Sequence, residues 1–368
     1  MWVSHLRLSH FRNHTETALD LAPGITVFIG DNGQGKTNLV ESLGYLAYLS
    51  SHRVSQDKAL VQSGSVEATV FATVKNGSQS AQLACQIRSS GANRAKVNNN
   101  TASLGDLAGW LKVVLFTPED LSLVRGEPAV RRRYLDTTLE IIRPAARASL
   151  AEYERVVKQR NALLKTNRGR PTEALQSTLD GFNDSFVALA ADVTTRRNAL
   201  IDQLQPLVQS AYATLASGQE ITMRLDSSDD AGDSGLTEWY RESLATRQKE
   251  EWERGMTLIG PHREDLIVEL NGLPARSHSS QGEAWSLALS LRMAQAQLYR
   301  QDAATGDPVM ILDDVFAELD QGRRQALKTL VEDYEQVLVT AAVPSDIPDG
   351  FNQHKRYVVE GRVTDAGV

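Results

Sequence analysis

The chain has 368 residues, 41% hydrophobic and 23% charged, an ordinary soluble composition long enough for two or three domain-sized units. The single cysteine, Cys85, excludes an internal disulfide. The opening MWVSHLRLSHFRNH lacks an apolar signal stretch, and no run reaches the roughly 18 apolar residues of a membrane span, so the expectation is a cytoplasmic protein with no membrane partner. The net charge of −7 is segregated: residues 121–170 carry twelve Lys or Arg against five acids, an excess of seven that leaves −14 for the remainder.

In chain order, strand-like alternation at 2–8 and 25–29 is followed by a glycine-rich turn that opens an apolar helix over 36–49. Further strand signals lie at 67–74, 81–87 and 113–116, separated by turn residues such as Asn76-Gly77. From 129 to about 217 apolar residues recur three and four apart, predicting long helices broken at Gly169-Arg170-Pro171 and slowed at Pro206. A Ser/Asp/Gly cluster at 226–235 reads as a loop, and a charged helix over 236–254 leads back to strands at 266–270, 309–312 and 337–340 with helices at 284–300 and 322–333.

Residues Gly30, Asp31, Asn32, Gly33, Gln34, Gly35, Lys36 and Thr37 fit the Walker A pattern, placed between strand and helix as its chemistry requires. Glycines let main-chain amides wrap a phosphate, and the following helix presents its positive end. Lys36 adds a charge for the β- and γ-phosphates, while the Thr37 hydroxyl is a candidate Mg²⁺ ligand. The apolar run from Val309 to Leu312 delivers Asp313 and Asp314, a Walker B arrangement expected to lie beside the phosphate-loop strand, with Asp313 near the metal and Asp314 facing the attacking water. Ser280, Gly282 and Glu283 open the helix at 284–300. On these residues alone they form a capping box, with Ser280 as N-cap; in company with the two Walker elements they become a candidate anion site.

Together with Ala317-Glu318-Leu319-Asp320, these elements resemble the ABC-type head shared by SMC-like repair ATPases and transporter ATPases, in which the signature of one subunit caps the γ-phosphate held by another. Three further segments are similar to the RecF family: Phe116 to Leu121 running through Arg125-Gly126 to Arg131-Arg132-Arg133-Tyr134-Leu135-Asp136, then Gly260 to Leu266, then Ile311 to Leu327. Phe11-Arg12-Asn13 and Ser51-His52-Arg53 match as well, so the resemblance spans the chain in order; Glu127 departs from the usual small residue or Asp. It implies an α/β fold, an ABC-type P-loop ATPase head with an inserted helical arm domain: 1–120 with Walker A, 121–255 as the arm, and 256–368 with the signature and Walker B.

The resemblance also implies ATP and Mg²⁺ as cofactors, an ATP-dependent homodimer, and binding to single-stranded and gapped duplex DNA. RecR and RecO are the implied partners, with RecA loading, replication-fork recovery and SOS induction as outcomes. Arg12 and Arg53 become candidate nucleotide contacts, and Arg131, Arg132 and Arg133 candidate DNA contacts, the bland alternative for each being a solvated surface arginine. Because Asp314 is one methylene shorter than the Glu many ABC heads carry, hydrolysis should be weak and slow, and the resemblance implies that it depends on DNA. The alternative is the ATPase subunit of a membrane transporter. Such subunits generally place a histidine just after the strand that follows Walker B, where this chain has Thr340-Ala341-Ala342-Val343.

Overall fold

The computed structural model describes residues 1–216, 218–226, 235–301, 306–351 and 354–365. The chain opens with β1 (Trp2–Phe11), β2 (His14–Asp20), β3 (Gly24–Ile29) and α1 (Lys36–Tyr48). Next come β4 (Glu67–Asn76), β5 (Gln79–Arg88), β6 (Arg94–Val97), β7 (Asn100–Ala102), the short α2 (Leu104–Leu107) and β8 (Val113–Phe116). Helices α3 (Leu121–Arg125), α4 (Pro128–Ile142), α5 (Pro144–Thr166) and α6 (Glu173–Leu215) precede β9 (Ile221–Leu225) and α7 (Leu236–Arg254). After β10 (Leu266–Leu270), β11 (Leu273–Pro274) and α8 (Ala275–His278) come α9 (Gln281–Arg300), β12 (Val309–Asp313), α10 (Gln321–Val331), β13 (Gln336–Ala341), β14 (His354–Val359) and β15 (Arg362–Asp365). The loop expected at 226–235 falls mostly outside the described residues.

The chain divides into two compact units, the first comprising 1–121, 210–218 and 285–368, the second 122–209 and 219–284. The first holds two six-stranded sheets, antiparallel β2-β1-β4-β5-β6-β7 and largely parallel β15-β14-β3-β13-β12-β8. In β4, Ala68, Val70, Ala72 and Val74 are buried and alternate with half-buried Thr69, Phe71 and Thr73, the pattern of a sheet wet on one face. Every residue of β12 and β13 is buried, as in a parallel sheet covered on both faces. A single core gathers Leu39, Val40, Leu43 and Leu46 of α1 with residues from both sheets.

In the second unit, α4 and α5 each open with proline at the first helical position, where its missing amide and fixed φ fit. Leu150, Tyr153, Phe186, Val193, Tyr240 and Leu244 of α5, α6 and α7 share a core. Helix α6 continues through Pro206 at the loss of a ladder bond, a slowing without a break. The unit also includes residues 256–284, where the sequence returns the chain to the head at 256: β10 pairs antiparallel with β9, which the helical reading of the arm does not anticipate.

Candidate nucleotide site and signature turn

The glycine-rich segment connects the end of β3 at Ile29 to the start of α1 at Lys36. Gly33 and Gly35 take φ of 83° and 112°, the left-handed region that L side chains avoid. Asp31, Asn32 and Gly33 form an exposed rim, and nothing stands within 4 Å of where a Gly33 Cβ would be, so this side of the loop is open. Lys36 is only 3% exposed, its ammonium donating to the carbonyls of Gly30 at 2.7 Å and Asp31 at 3.2 Å.

The expectation that β12 lies beside β3 is corrected: β13 stands between them, with Ile29 level with Ala341 and Thr340 level with Asp313. The intervening strand supplies a residue the sequence reading did not single out. Thr340 Oγ1 donates to Asp313 Oδ1 at 2.6 Å and accepts from the Asp314 amide at 2.9 Å, so one hydroxyl fixes both acids. The Thr37 hydroxyl still reaches Asp313 Oδ1 at 3.0 Å. Burial, with the Asp314 and Glu119 carboxylates adding to it, pushes Asp313 up to about 6 against the hydrogen bonds from Thr340 and Thr37. Asp314 is half-buried at φ 51°, a left-handed conformation uncommon for a non-glycine residue.

Arg12 and Arg53 both reach Glu41 of α1. Arg12 gives Nε and Nη2 to the two oxygens of Glu41, at 2.9 and 2.7 Å, and Nη1 to the Ala59 carbonyl. Arg53 gives Nη1 to Asn38 and, at 3.4 Å, to Glu41. Glu41 is a wholly buried carboxylate on α1. Burial alone would raise it, but Arg12, Ser51 and Arg53 hold it below the ordinary range. Both arginines brace α1 through this acid.

In the second unit the signature turn forms the capping box: the Ser280 amide donates to Glu283 Oε2 at 2.7 Å and the Glu283 amide to Ser280 Oγ at 3.3 Å. The box uses the hydroxyl only as an acceptor, so the proton of exposed Ser280 remains to be donated. Gly282 lies in the first turn of α9, whose amides lack helical partners and suit an anion. Arg125 spans the turn, donating to the Ser279 carbonyl and to Gln281 Oε1, both at 2.8 Å.

Of the three candidate DNA arginines, Arg131 is buried and Arg132 half-buried. Arg131, 3% exposed, donates two hydrogen bonds to the Asp265 carboxylate at 2.6 and 2.7 Å, and Arg132 donates to the Glu264 carbonyl at 2.7 Å. Arg133 alone of the three is exposed. Glu264, 3% exposed, accepts from Arg197, Thr194 and Tyr240, while Arg197 also pairs with Asp136. His262 is bonded to Tyr153 and pushed down to about 4 by burial and the neighbouring arginines. The family-like segments at 131–136 and 260–266 thus build a buried ionic network, which a charge run cannot disclose because burial depends on distant partners.

The family described as RecF/RecN/SMC N terminal domain matches residues 2–358. A DNA replication and repair protein RecF of Clavibacter sepedonicus is 42% identical over 389 residues, covering 100% of this chain and 95% of that protein. The RecF of Leifsonia xyli subsp. xyli is 44% identical over 386 residues, covering 99% of this chain and 100% of that protein. Among solved structures, one described as the recombination mediator protein RecF-ATPrS in the RecFOR pathway aligns with TM-score 0.90 at 25% identity, covering 100% of this chain and 98% of that chain. An Smc head bound to the C-winged helix domain of ScpA aligns over the same share of both chains with TM-score 0.58 at 15% identity, a likeness of fold alone.

Proposed function

Since this chain belongs to the RecF family, within the RecF/RecN/SMC group, we propose that it holds Mg²⁺-ATP between β3 and α1, pairs with a second copy around the nucleotide, and engages DNA near single-strand gaps. It is an ATP-binding DNA replication and repair protein. Full-length RecF relatives set aside the transporter-subunit reading. The observation that carries the proposal is the 3.0 Å contact between Thr37 and Asp313, which joins the loop to the carboxylate strand. These two oxygens fit Mg²⁺, which takes one or two protein ligands and completes its shell with phosphate and water. Bound there, the ion would neutralise charge developing on the phosphates. Asp313 and Thr37 would hold it, while Asp314, whose amide is fixed by Thr340, would orient the attacking water.

RecR and RecO are the expected partners in loading RecA, with fork recovery and SOS induction following from that work. For DNA, the basic excess of 121–170 survives on exposed Arg133, Arg143, Lys158, Lys165, Arg168 and Arg170 of the second unit. If these neutralise about five phosphates, affinity for a gapped duplex should fall on the order of several hundredfold between about 50 and 200 mM salt. Anisotropy titrations with Mg²⁺-ATP test this, and a flat salt dependence would place DNA on another surface.

Asp313→Asn should keep nucleotide binding, since its amide oxygen can still accept from Thr37 and Thr340, yet lower Mg²⁺-dependent turnover by about a hundredfold through loss of charge at the metal. Phosphate release at saturating ATP is the measurement. Wild-type turnover would reduce Asp313 to a strand-end residue.

A further inference from the structure

Two turns far apart in sequence grip the outer side of the phosphate loop. Between β1 and β2, Asn13 Nδ2 donates to the Gln34 carbonyl at 3.1 Å, and His14 Nε2 lies 3.0 Å from the Gly35 carbonyl. Between β14 and β15, the Gly361 amide donates to the same Gln34 carbonyl at 2.8 Å, and the Glu360 amide to Gln34 Oε1 at 2.6 Å. His14 ties the turns together: it is 0% exposed, with Nδ1 2.8 Å from the Gly361 carbonyl and 3.0 Å from the Thr17 hydroxyl.

The grip leaves no room for side chains. A Cβ on Gly35 would stand 2.8 Å from the Asn13 side chain and 3.0 Å from His14 Nε2, one on Gly30 would stand 2.2 Å from the Val358 carbonyl oxygen, and one on Gly361 would stand 2.5 Å from the Asn13 carbonyl oxygen. Three glycines are therefore required by contact with the outer scaffold, whereas Gly33 is required only by its own left-handed backbone.

A trans peptide points its C=O and the next N–H in opposite directions. Anchoring the Gln34 carbonyl outward turns the Gly35 amide toward the loop interior, and anchoring the Gly35 carbonyl does the same for the Lys36 amide. We propose that Asn13, His14 and the 360–361 turn are positioning residues that set these amides for the phosphates without touching nucleotide, so that ATP affinity depends on the hairpin near the C-terminal end of the described chain. This rests on the reading of the loop as the ATP site. Donors fixed in place before binding add affinity because less order has to be imposed on association.

The test uses the full chain, a fluorescent ATP analogue at equilibrium, and thermal unfolding without nucleotide. His14→Leu removes the ring Nε2, which donates to the Gly35 carbonyl in the tautomer that carries the proton there, while filling the space; His14→Gln keeps an amide near the position of Nε2; Asn13→Ala removes a donor from a half-buried turn. Losing one such bond should weaken analogue binding by about tenfold in His14→Leu and Asn13→Ala, with His14→Gln within about twofold of wild type. Wild-type affinity in a folded Asn13→Ala, or equal losses in His14→Gln and His14→Leu, would overturn the scaffold. Should His14→Leu fail to fold, Asn13→Ala together with Gly361→Ala decides the matter. Lys36→Ala in the same assay separates the two levels: undiminished binding there removes the ATP reading itself, whereas lost binding there with unchanged scaffold variants removes only the scaffold.

Discussion

Lys36→Ala should abolish tight ATP binding while the chain remains folded. The lysine stem is buried and its ammonium rests on the Gly30 and Asp31 carbonyls, so the charge is poised where the loop wraps the phosphates. Removing a desolvated, hydrogen-bonded charge from a recognition site weakens binding by about 2–5 kcal/mol. That corresponds to a loss of roughly thirtyfold to several thousandfold in affinity. Because the rim at Asp31 to Gly33 is exposed, water can replace the ammonium on the carbonyls, and the effect on unfolding should be modest. Equilibrium titration with a fluorescent ATP analogue measures the first effect and thermal unfolding the second. Undiminished affinity would contradict the assignment of the loop.

Ser280→Arg should separate nucleotide binding from the proposed nucleotide-driven pairing. Ser280 stands exposed at the start of α9 with its hydroxyl proton unused by the capping box, beside first-turn amides that can face an anion. An arginine there would fill the gap that, in the proposed pair, the second copy's nucleotide occupies, and it withdraws the cap oxygen that accepts from the Glu283 amide. Losing that cap costs about 1 kcal/mol of helix stability, too little to unfold the chain. ATP affinity of the single chain should fall only modestly, because its own Walker A residues are untouched. The increase in mass expected with Mg²⁺-ATP should vanish, and the expected ATP-dependent DNA binding with it.

The parts of the molecule legible in the sequence are those whose signals are local. The run from β3 through the glycine turn to α1 can be read off because period, turn chemistry and motif all fall within 25 residues. The same holds for the strand that delivers Asp313 and Asp314. Long-range partners are another matter. Nothing near Thr340 announces that β13 inserts between β3 and β12, since strand order is set by packing across the whole sheet. Arg12 and Arg131 look like solvated cations until Glu41 and Asp265 are brought beside them. The β14 and β15 hairpin was missed for a related reason: His354, Lys355 and Arg356 give no apolar alternation, and the Glu360-Gly361 turn gains its meaning only from contact with Gln34.

If two chains share the nucleotide, the Walker residues of one meet the signature turn of the other. Light scattering of the wild-type chain and of Ser280→Arg, each with and without Mg²⁺-ATP, tests it most directly. The account predicts a doubling of mass on adding Mg²⁺-ATP to the wild type and a single-chain mass for Ser280→Arg under both conditions. An equal doubling in the two proteins would contradict it, leaving Ser280 as the cap of an ordinary helix.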